Sequence, residues 1–269
     1  MVIFDVSTPV NPVELGRYSG PINGNDLVLS NDETKAYLTT DYGFVILDIT
    51  DIATPEELVV YKPSMRYGPV KLSSDGTKVY VYEGYDFVVL DVSNPLNIIE
   101  VGRYDLLNIN DIGLSSDETK VYLAVDFQGL VILDVSNLAN INEISVYDTA
   151  PGSAQSIDIS SDETKAFIGG LYGGLYIIDI SNPSYPNELS VYSDGFQTYE
   201  VKLSEDNTKA YVADGNLGFL VIDISNPMNP QLINKYFDGN GYTSIAIFNN
   251  ETIAYPSSSD NLMILSIQN

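Results

Sequence analysis

One phrase returns along the whole chain at an almost fixed interval, and it restricts the fold more than any other feature. It reads Phe4-Asp5-Val6-Ser7, then LDIT ending at Thr50, LDVSNP ending at Pro95 and LDVSN ending at Asn137. It continues as IDISNP ending at Pro183 and again at Pro227, and fades to LSIQN at the C-terminus. The anchors Asp5, Asp48, Asp91, Asp134, Asp179, Asp223 and Ser266 are spaced 43, 43, 43, 45, 44 and 43 residues apart. A second phrase, Asp-x-Thr-Lys, is interleaved at Asp32–Lys35, Asp75–Lys78, Asp117–Lys120, Asp162–Lys165 and Asp206–Lys209, with a degraded copy at Asn250–Ile253. Two phrases locked in phase over six periods define a repeat architecture.

Each period holds four short apolar runs. In the fifth they are VKLS (201–204), KAYVA (209–213), GFLVIDI (218–224) and QLINKY (231–236). They are strand-length and rich in Val, Ile, Leu and Tyr, and no stretch carries a long helical periodicity. Four strands in about 43 residues matches one propeller blade. The Asp of Asp-x-Thr-Lys closes the turn between first and second strands. Between second and third strands one position holds only Gly43, Asp86, Gly129, Gly174, Gly218 or Asn261, residues that tolerate positive φ. After the third strand, Pro183 with Pro186 and Pro227 with Pro230 break the ladder and direct the chain to an outer edge strand.

The expected fold is therefore all-β: a six-bladed β-propeller with four antiparallel strands per blade, forming one domain over 1–269. The blades fall at about 21–63, 64–105, 106–148, 149–193, 194–237 and 238–269, after an N-terminal closing segment, 1–20. Strand VELGRY (13–18) is expected to join the C-terminal blade as its fourth strand and close the ring. That scheme leaves Val2–Val6 as a surplus third-strand copy. It could be loose, displace part of 262–267, or pair with another molecule.

The runs GFLVIDISNPMNP (218–230) and GGLYIIDISNPSYP (173–186) resemble the LVIVD-repeat family. The match covers essentially the whole chain, with Leu138 in place of the usual Pro and a degenerate last repeat around Phe248–Ser259. The resemblance implies a propeller-like fold and a bacterial or archaeal surface or secreted location. It implies no particular activity.

Composition narrows function by exclusion. With no Cys and no His, disulfides, thiolate or imidazole metal sites and Ser-His-Asp catalysis are ruled out. A net charge of −25 argues against nucleic acid and anionic lipid as partners. No run reaches the length of a membrane span, and no leader is present at the N-terminus. The start in mid-repeat reads as a mature or excised piece of a longer chain, extracellular or at the cell surface. There is no phosphate-binding GxxxxGK[ST] and no GxSxG elbow. Asp238-Gly-Asn240-Gly-Tyr242 resembles the opening of a calcium loop but lacks the downstream Glu. Asn250-Glu-Thr252 is a formal glycosylation sequon.

Recurring acids read as structural, so candidate sites are sought where the repeat varies. Just before each first strand stand Asp26, Pro69, Asp111, Ser156, Glu200 and Ser244. If first strands line a central channel, Asp26, Asp111 and Glu200 converge at its mouth and suit a hard cation such as Ca²⁺. Two residues on lie Lys71, Asp158 and Lys202; Lys71 and Lys202 could pair with these carboxylates and remove the need for a metal. The hairpin tips carry Asp41-Tyr42, Tyr85-Asp86, Asp126-Phe127, Tyr172 and Asp260. Either the rings fold back onto neighbouring blades, or Tyr42, Tyr85, Phe127 and Tyr172, with Lys71 and Lys202, face a sugar or peptide. The leading expectation is a non-enzymatic binding, adhesion or scaffold module recognising a cell-surface protein or glycan. It is expected as a monomer or as part of a longer chain. The alternative is a carboxylate- or cation-dependent hydrolase or lyase acting on a polysaccharide at the channel mouth, with Asp111 and Glu200 as acid and base.

Overall fold

The computed structural model describes residues 1–8, 11–20, 23–64, 66–193, 195, 197–248, 253–257 and 265–266. Asp260 and Asn261 lie outside them, as do Asn250–Thr252. Among the described residues the chain is strands joined by turns, with two short 3-10 segments at Asp126–Gln128 and Leu138–Asn140. It divides into two compact units, one of residues 1–119 and 134–142, the other of 120–133 and 143–269.

The first unit opens with β1 (Val2–Asp5) and β2 (Val13–Arg17), which pair antiparallel. A four-stranded antiparallel sheet follows, of β3 (Gly24–Leu29), β4 (Lys35–Thr40), β5 (Gly43–Asp48) and β6 (Glu56–Tyr61) in chain order. The next is β7 (Tyr67–Leu72), β8 (Lys78–Glu83), β9 (Asp86–Asp91) and β10 (Ile99–Asp105). A third sheet has the order β11 (Ile109–Leu114), β12 (Lys120–Val125), β13 (Gly129–Asp134) and β14 (Asn142–Tyr147). The division between units passes through it.

The second unit adds β15 (Ser153–Ile159), β16 (Lys165–Leu171), β17 (Gly174–Asp179) and β18 (Asn187–Tyr192). Then come β19 (Thr198–Leu203), β20 (Lys209–Asp214), β21 (Gly218–Asp223) and β22 (Gln231–Tyr236). The last described sheet is three-stranded: β23 (Ser244–Phe248), β24 (Ile253–Ser257) and β25 (Leu265–Ser266).

The repeat arithmetic thus becomes sheet arithmetic, each period being one up-and-down sheet. Among the described pairings, 13–18 is joined to a strand near it in sequence. The partner of β2 is β1, in register from Val2↔Arg17 to Asp5↔Val13. Third and fourth strands are close in sequence, so their pairing closes a short loop at low entropic cost. Val2–Asp5, surplus in the sequence reading, is the strand that uses this advantage.

The core lies between consecutive sheets. In the first unit Tyr37, Phe44 and Ile46 share a cluster with Val70, Val79, Val81, Val88 and Leu90. In the second, Phe167, Leu175 and Ile177 face Val201, Val212, Leu220 and Ile222. Second and third strands are therefore buried on both faces, whereas fourth strands are half-exposed, as in β14 and β18. Two tyrosines at the ends of outer strands tie one sheet to the next. Tyr18 donates to Glu57 at 2.5 Å and Tyr147 to Glu188 at 2.8 Å, each reaching the following fourth strand.

The turn chemistry follows the sequence. In every described Asp-x-Thr-Lys turn, the Asp Oδ1 accepts the backbone N–H and hydroxyl of the Thr and the hydroxyl of the Ser two residues earlier. Gly129, Gly174 and Gly218 sit at φ 83°, 95° and 89°. A Cβ on Gly218 would lie 2.2 Å from the Tyr236 carbonyl oxygen, so only glycine lets the outer strand approach there. Asp86 breaks the pattern: in its hairpin the positive φ, 69°, moves to Gly84.

Candidate functional site

Each first strand starts beside a hairpin tip. In the first unit, Asp41 N–H donates to the Asn23 carbonyl at 3.2 Å, and the Asn23 and Asn25 side-chain amides donate to the Asp41 carboxylate. In the second, Gly215 N–H donates to the Gln197 carbonyl, and Gln197 N–H to Asp214 Oδ2 at 2.7 Å. First-strand starts and tips therefore share one end of the sheets.

At the first-strand starts the variable side chains turn to the next sheet. Asp26 Oδ2 accepts the Val70 N–H at 2.9 Å, and Asp26 Oδ1 accepts the Leu27 N–H at 2.7 Å. Ser156 Oγ accepts from Val201 N–H at 3.0 Å and Asp158 Oδ2 from Leu203 N–H at 2.8 Å. Glu200 Oε2 accepts from Ile245 N–H at 2.7 Å, while its other oxygen pairs with Lys202 at 2.9 Å. Asp111 accepts the Ile112 N–H and stands 4.0 Å from Lys71 Nζ. These side chains act as staples: an edge N–H that has no ladder partner of its own receives one from the preceding sheet.

The three carboxylates proposed to hold Ca²⁺ therefore already have protein partners, and Lys71 and Lys202 supply counter-charges. Among the described residues no three carboxylates gather in a metal-holding group. A cation at Asp26 or Glu200 would share its oxygens with a backbone N–H.

The other recurring acids are likewise engaged. Each third-strand Asp accepts the N–H and hydroxyl of the residue two on, as Asp48 does from Thr50 and Asp223 from Ser225. These bonds favour the ionised form and pull the carboxyls of Asp48, Asp91, Asp179 and Asp223 below the usual range. The turn acids Asp32, Asp75, Asp162 and Asp206 are held at about 2, chiefly by the Ser hydroxyl.

The tips differ. Tyr42, Tyr85, Phe127 and Tyr172 are 50, 62, 72 and 70 % exposed, so their rings do not fold back onto neighbouring sheets. The tips themselves are ordered by polar contacts. Thr40 Oγ1 accepts the N–H groups of Tyr42 and Gly43 at 3.1 and 3.0 Å and donates to the Gly43 carbonyl. At the second tip Arg103 bonds Asp86 and Glu100 and approaches the buried Glu83 at 3.6 Å; burial pushes the Glu83 carboxyl up and Arg103 opposes it. Tyr172 stands in left-handed backbone at φ 68°, the place that Gly84 holds in its hairpin.

The acids beside the rings are also committed. Asp41 takes two Asn amides, and Asp126 takes the Ser153 hydroxyl. Two cations that the sequence reading did not single out stand instead against the first-unit rings. Lys62 Nζ lies 3.0 Å from the Tyr42 ring centre, and the Arg66 guanidinium lies 5.6 and 5.9 Å from those of Tyr82 and Tyr85. Their signal in the sequence is positional. Segment 62–66 departs from the repeat and carries two of only 12 basic residues.

The profile of the LVIVD repeat matches residues 1–20, 75–106, 120–149, 151–194 and 197–238. Similar solved structures include a protein from Lactobacillus plantarum, with a TM-score of 0.81 at 15 % identity over 97 % of this chain and 86 % of that one. The periplasmic gluconolactonase PpgL of Pseudomonas aeruginosa gives 0.77 at 11 %, over 94 % and 83 %. The β-propeller domain of Myceliophteria thermophila Cps50 (Swd1) gives 0.76 at 13 %, over 93 % and 83 %. At such identities the likeness shows the fold, a β-propeller, and carries no activity with it. No curated protein matches the chain.

Proposed function

The chain belongs to the LVIVD repeat family, and from that premise we propose that it is a non-enzymatic binding or adhesion module, secreted or displayed at the cell surface. It takes its ligand on the hairpin tips. One observation carries this reading: four aromatic side chains at the tips are 50–72 % exposed. Isolated exposed apolar residues are ordinary. Here one stands on the hairpin between second and third strands in each of four sheets, on ordered tips, which is how a rigid scaffold presents binding residues.

The direct test is a glycan array with surface-protein pull-downs, run on the native chain and on a Tyr42, Tyr85, Phe127 and Tyr172 to Ala variant. Loss of binding with unchanged thermal stability supports the reading; undiminished binding by the variant removes it. The hydrolase or lyase alternative is measured on the same material. Shortening of a bound polysaccharide that disappears in Asp111→Asn or Glu200→Gln would show chemistry at the first-strand starts. For Ca²⁺ the readout is thermal melting. A cation at a hundred times its Kd adds about 2.7 kcal/mol, and no shift at millimolar Ca²⁺ disposes of that site.

The same reading takes the sheets as six blades of one ring. An N-terminal strand, β2 with its partner β1, then joins the C-terminal blade and closes the ring. The intact Phe4-Asp5-Val6-Ser7 copy supports this, with Asp5 accepting the Ser7 N–H at 2.8 Å. Hydrogen exchange decides it: the β1 amides that face away from β2 are protected in a closed ring and exchange freely without one.

A further inference from the structure

The exposed rings of the first unit stand beside cations, and those cations have no carboxylate. Of its basic side chains, Arg17, Lys71, Lys78 and Arg103 are in ion pairs, and Lys35 lies in an Asp-x-Thr-Lys turn with its Nζ on Thr34. Lys62 and Arg66 are exposed and make no salt bridge among the described residues. In a chain of net charge −25, carboxylates are plentiful. Here two cations rest on aromatic rings instead of in ion pairs, although Asp41 and Asp86 adjoin the same rings in sequence.

The geometry makes one patch of them. Lys62 and Arg66 belong to the link from β6 to β7, which touches both tips. The Arg66 carbonyl accepts the Gly84 N–H at 2.6 Å, and a Cβ on Gly43 would lie 3.5 Å from that of Lys62. Four residue steps allow at most roughly 14 Å between the two Cα atoms. Ring and cation alternate within that reach: Tyr42, Lys62, Arg66, Tyr85.

We propose that this patch binds an acidic glycan, a chain of sugars bearing carboxylates. The claim rests on the tip-binding reading and names its ligand class. A pyranose presents an apolar C–H face that lies on a tyrosine ring, and its carboxylate projects from the rim of the sugar, where Lys62 or Arg66 can meet it. An acidic peptide is the poorer fit. Peptides are usually taken on a free strand edge or in an apolar groove, and a hairpin tip offers neither. Among the described residues of the second unit neither Phe127 nor Tyr172 has a cation over its ring; the cation–ring pair there, Lys235 over Phe237 at 5.6 Å, lies at the end of β22 and not on a tip.

The probes are polygalacturonate and its fully methyl-esterified form, which share a backbone and differ in charge, with poly-glutamate as a charged chain without sugar. Titration calorimetry at low and high salt measures each. The native chain is expected to bind polygalacturonate, more weakly as salt rises. The esterified polymer and poly-glutamate are each expected to bind at least about tenfold more weakly, as is polygalacturonate to Lys62→Glu/Arg66→Glu. A Lys62→Arg/Arg66→Lys variant should retain binding, which separates charge from disturbance of the link.

Equal binding of the two pectic polymers overturns the charge requirement. Equal binding of poly-glutamate overturns the sugar requirement. Failure to bind polygalacturonate overturns the inference outright. If a neutral glycan then binds and is lost in Tyr42→Ala/Tyr85→Ala, the tip reading survives it; if no glycan or surface protein depends on the tips, both fall.

Discussion

The first-strand starts and the hairpin tips lie at the same end of the sheets, and both vary from repeat to repeat, yet they do opposite things with their side chains. Asp26, Ser156, Asp158 and Glu200 reach an N–H of the next sheet. Tyr42, Tyr85, Phe127 and Tyr172 leave half or more of their surface in water. Variation within a repeat is therefore no sign of a ligand by itself. A staple can be Asp, Ser or Glu because any of them offers an acceptor to a fixed N–H. A tip ring left half or more in water has no such task, and its presence asks for a reason outside the fold.

The largest effect that would test this contrast is expected at low pH. The turn carboxyls of Asp32, Asp75, Asp162 and Asp206 titrate at about 2 in the folded chain, against an ordinary value of 3.8. A folded pKa below the unfolded one means that the stabilisation is complete above the ordinary value and is lost as pH falls toward the folded one. Urea midpoints should hold steady down to about pH 4 and then fall steeply toward pH 2. A flat profile through that window would show the turn bonds to be energetically idle.

Next in size is Glu200→Ala, which removes the acceptor of the Ile245 N–H and the oxygen paired with the Lys202 ammonium. It is expected to cost about 2 kcal/mol in urea unfolding. Asp26→Ala should cost about 1 kcal/mol, for one N–H of the next sheet. If either variant keeps full stability but loses ligand, that carboxylate belongs to the site and the contrast collapses.

Tyr172→Gly runs the other way. Left-handed backbone at φ 68° disfavours a side chain, so glycine should stabilise by about 0.5–1 kcal/mol while weakening any ligand held there. A loss of stability would mean that the ring packs more than its 70 % exposure indicates. Smallest of all, Tyr42→Ala, Tyr85→Ala and Phe127→Ala should each change stability by less than about 0.5 kcal/mol. A larger loss at any of them makes it part of the fold.

Much of this was legible in the sequence, and the reason is periodicity. A bond between residues two apart, such as Asp48 with Thr50 or Asp75 with Thr77, is local, so a short motif determines it wherever it recurs. The order of strands within each sheet follows equally from runs separated by short turns. The tip aromatics were legible as departures from the repeat, because a position that carries no shared packing task shows in the differences between copies.

What the sequence left open depended on partners that lie on other strands, up to 45 residues away. Nothing local distinguishes Glu200 as a cation ligand from Glu200 as acceptor for Ile245, since the deciding N–H belongs to another sheet. Likewise, only packing reveals that Lys62 and Arg66 come to rest on Tyr42, Tyr82 and Tyr85 rather than on one of the many carboxylates. The choice of β1 as the partner of β2 was open for the same reason: two copies of the third-strand phrase compete for one neighbour, and the nearer in sequence takes it. The chain determined by itself which residues make strands, turns and bare tips. Tertiary structure alone decided where each charge went, because charges act through space on whatever the fold brings near.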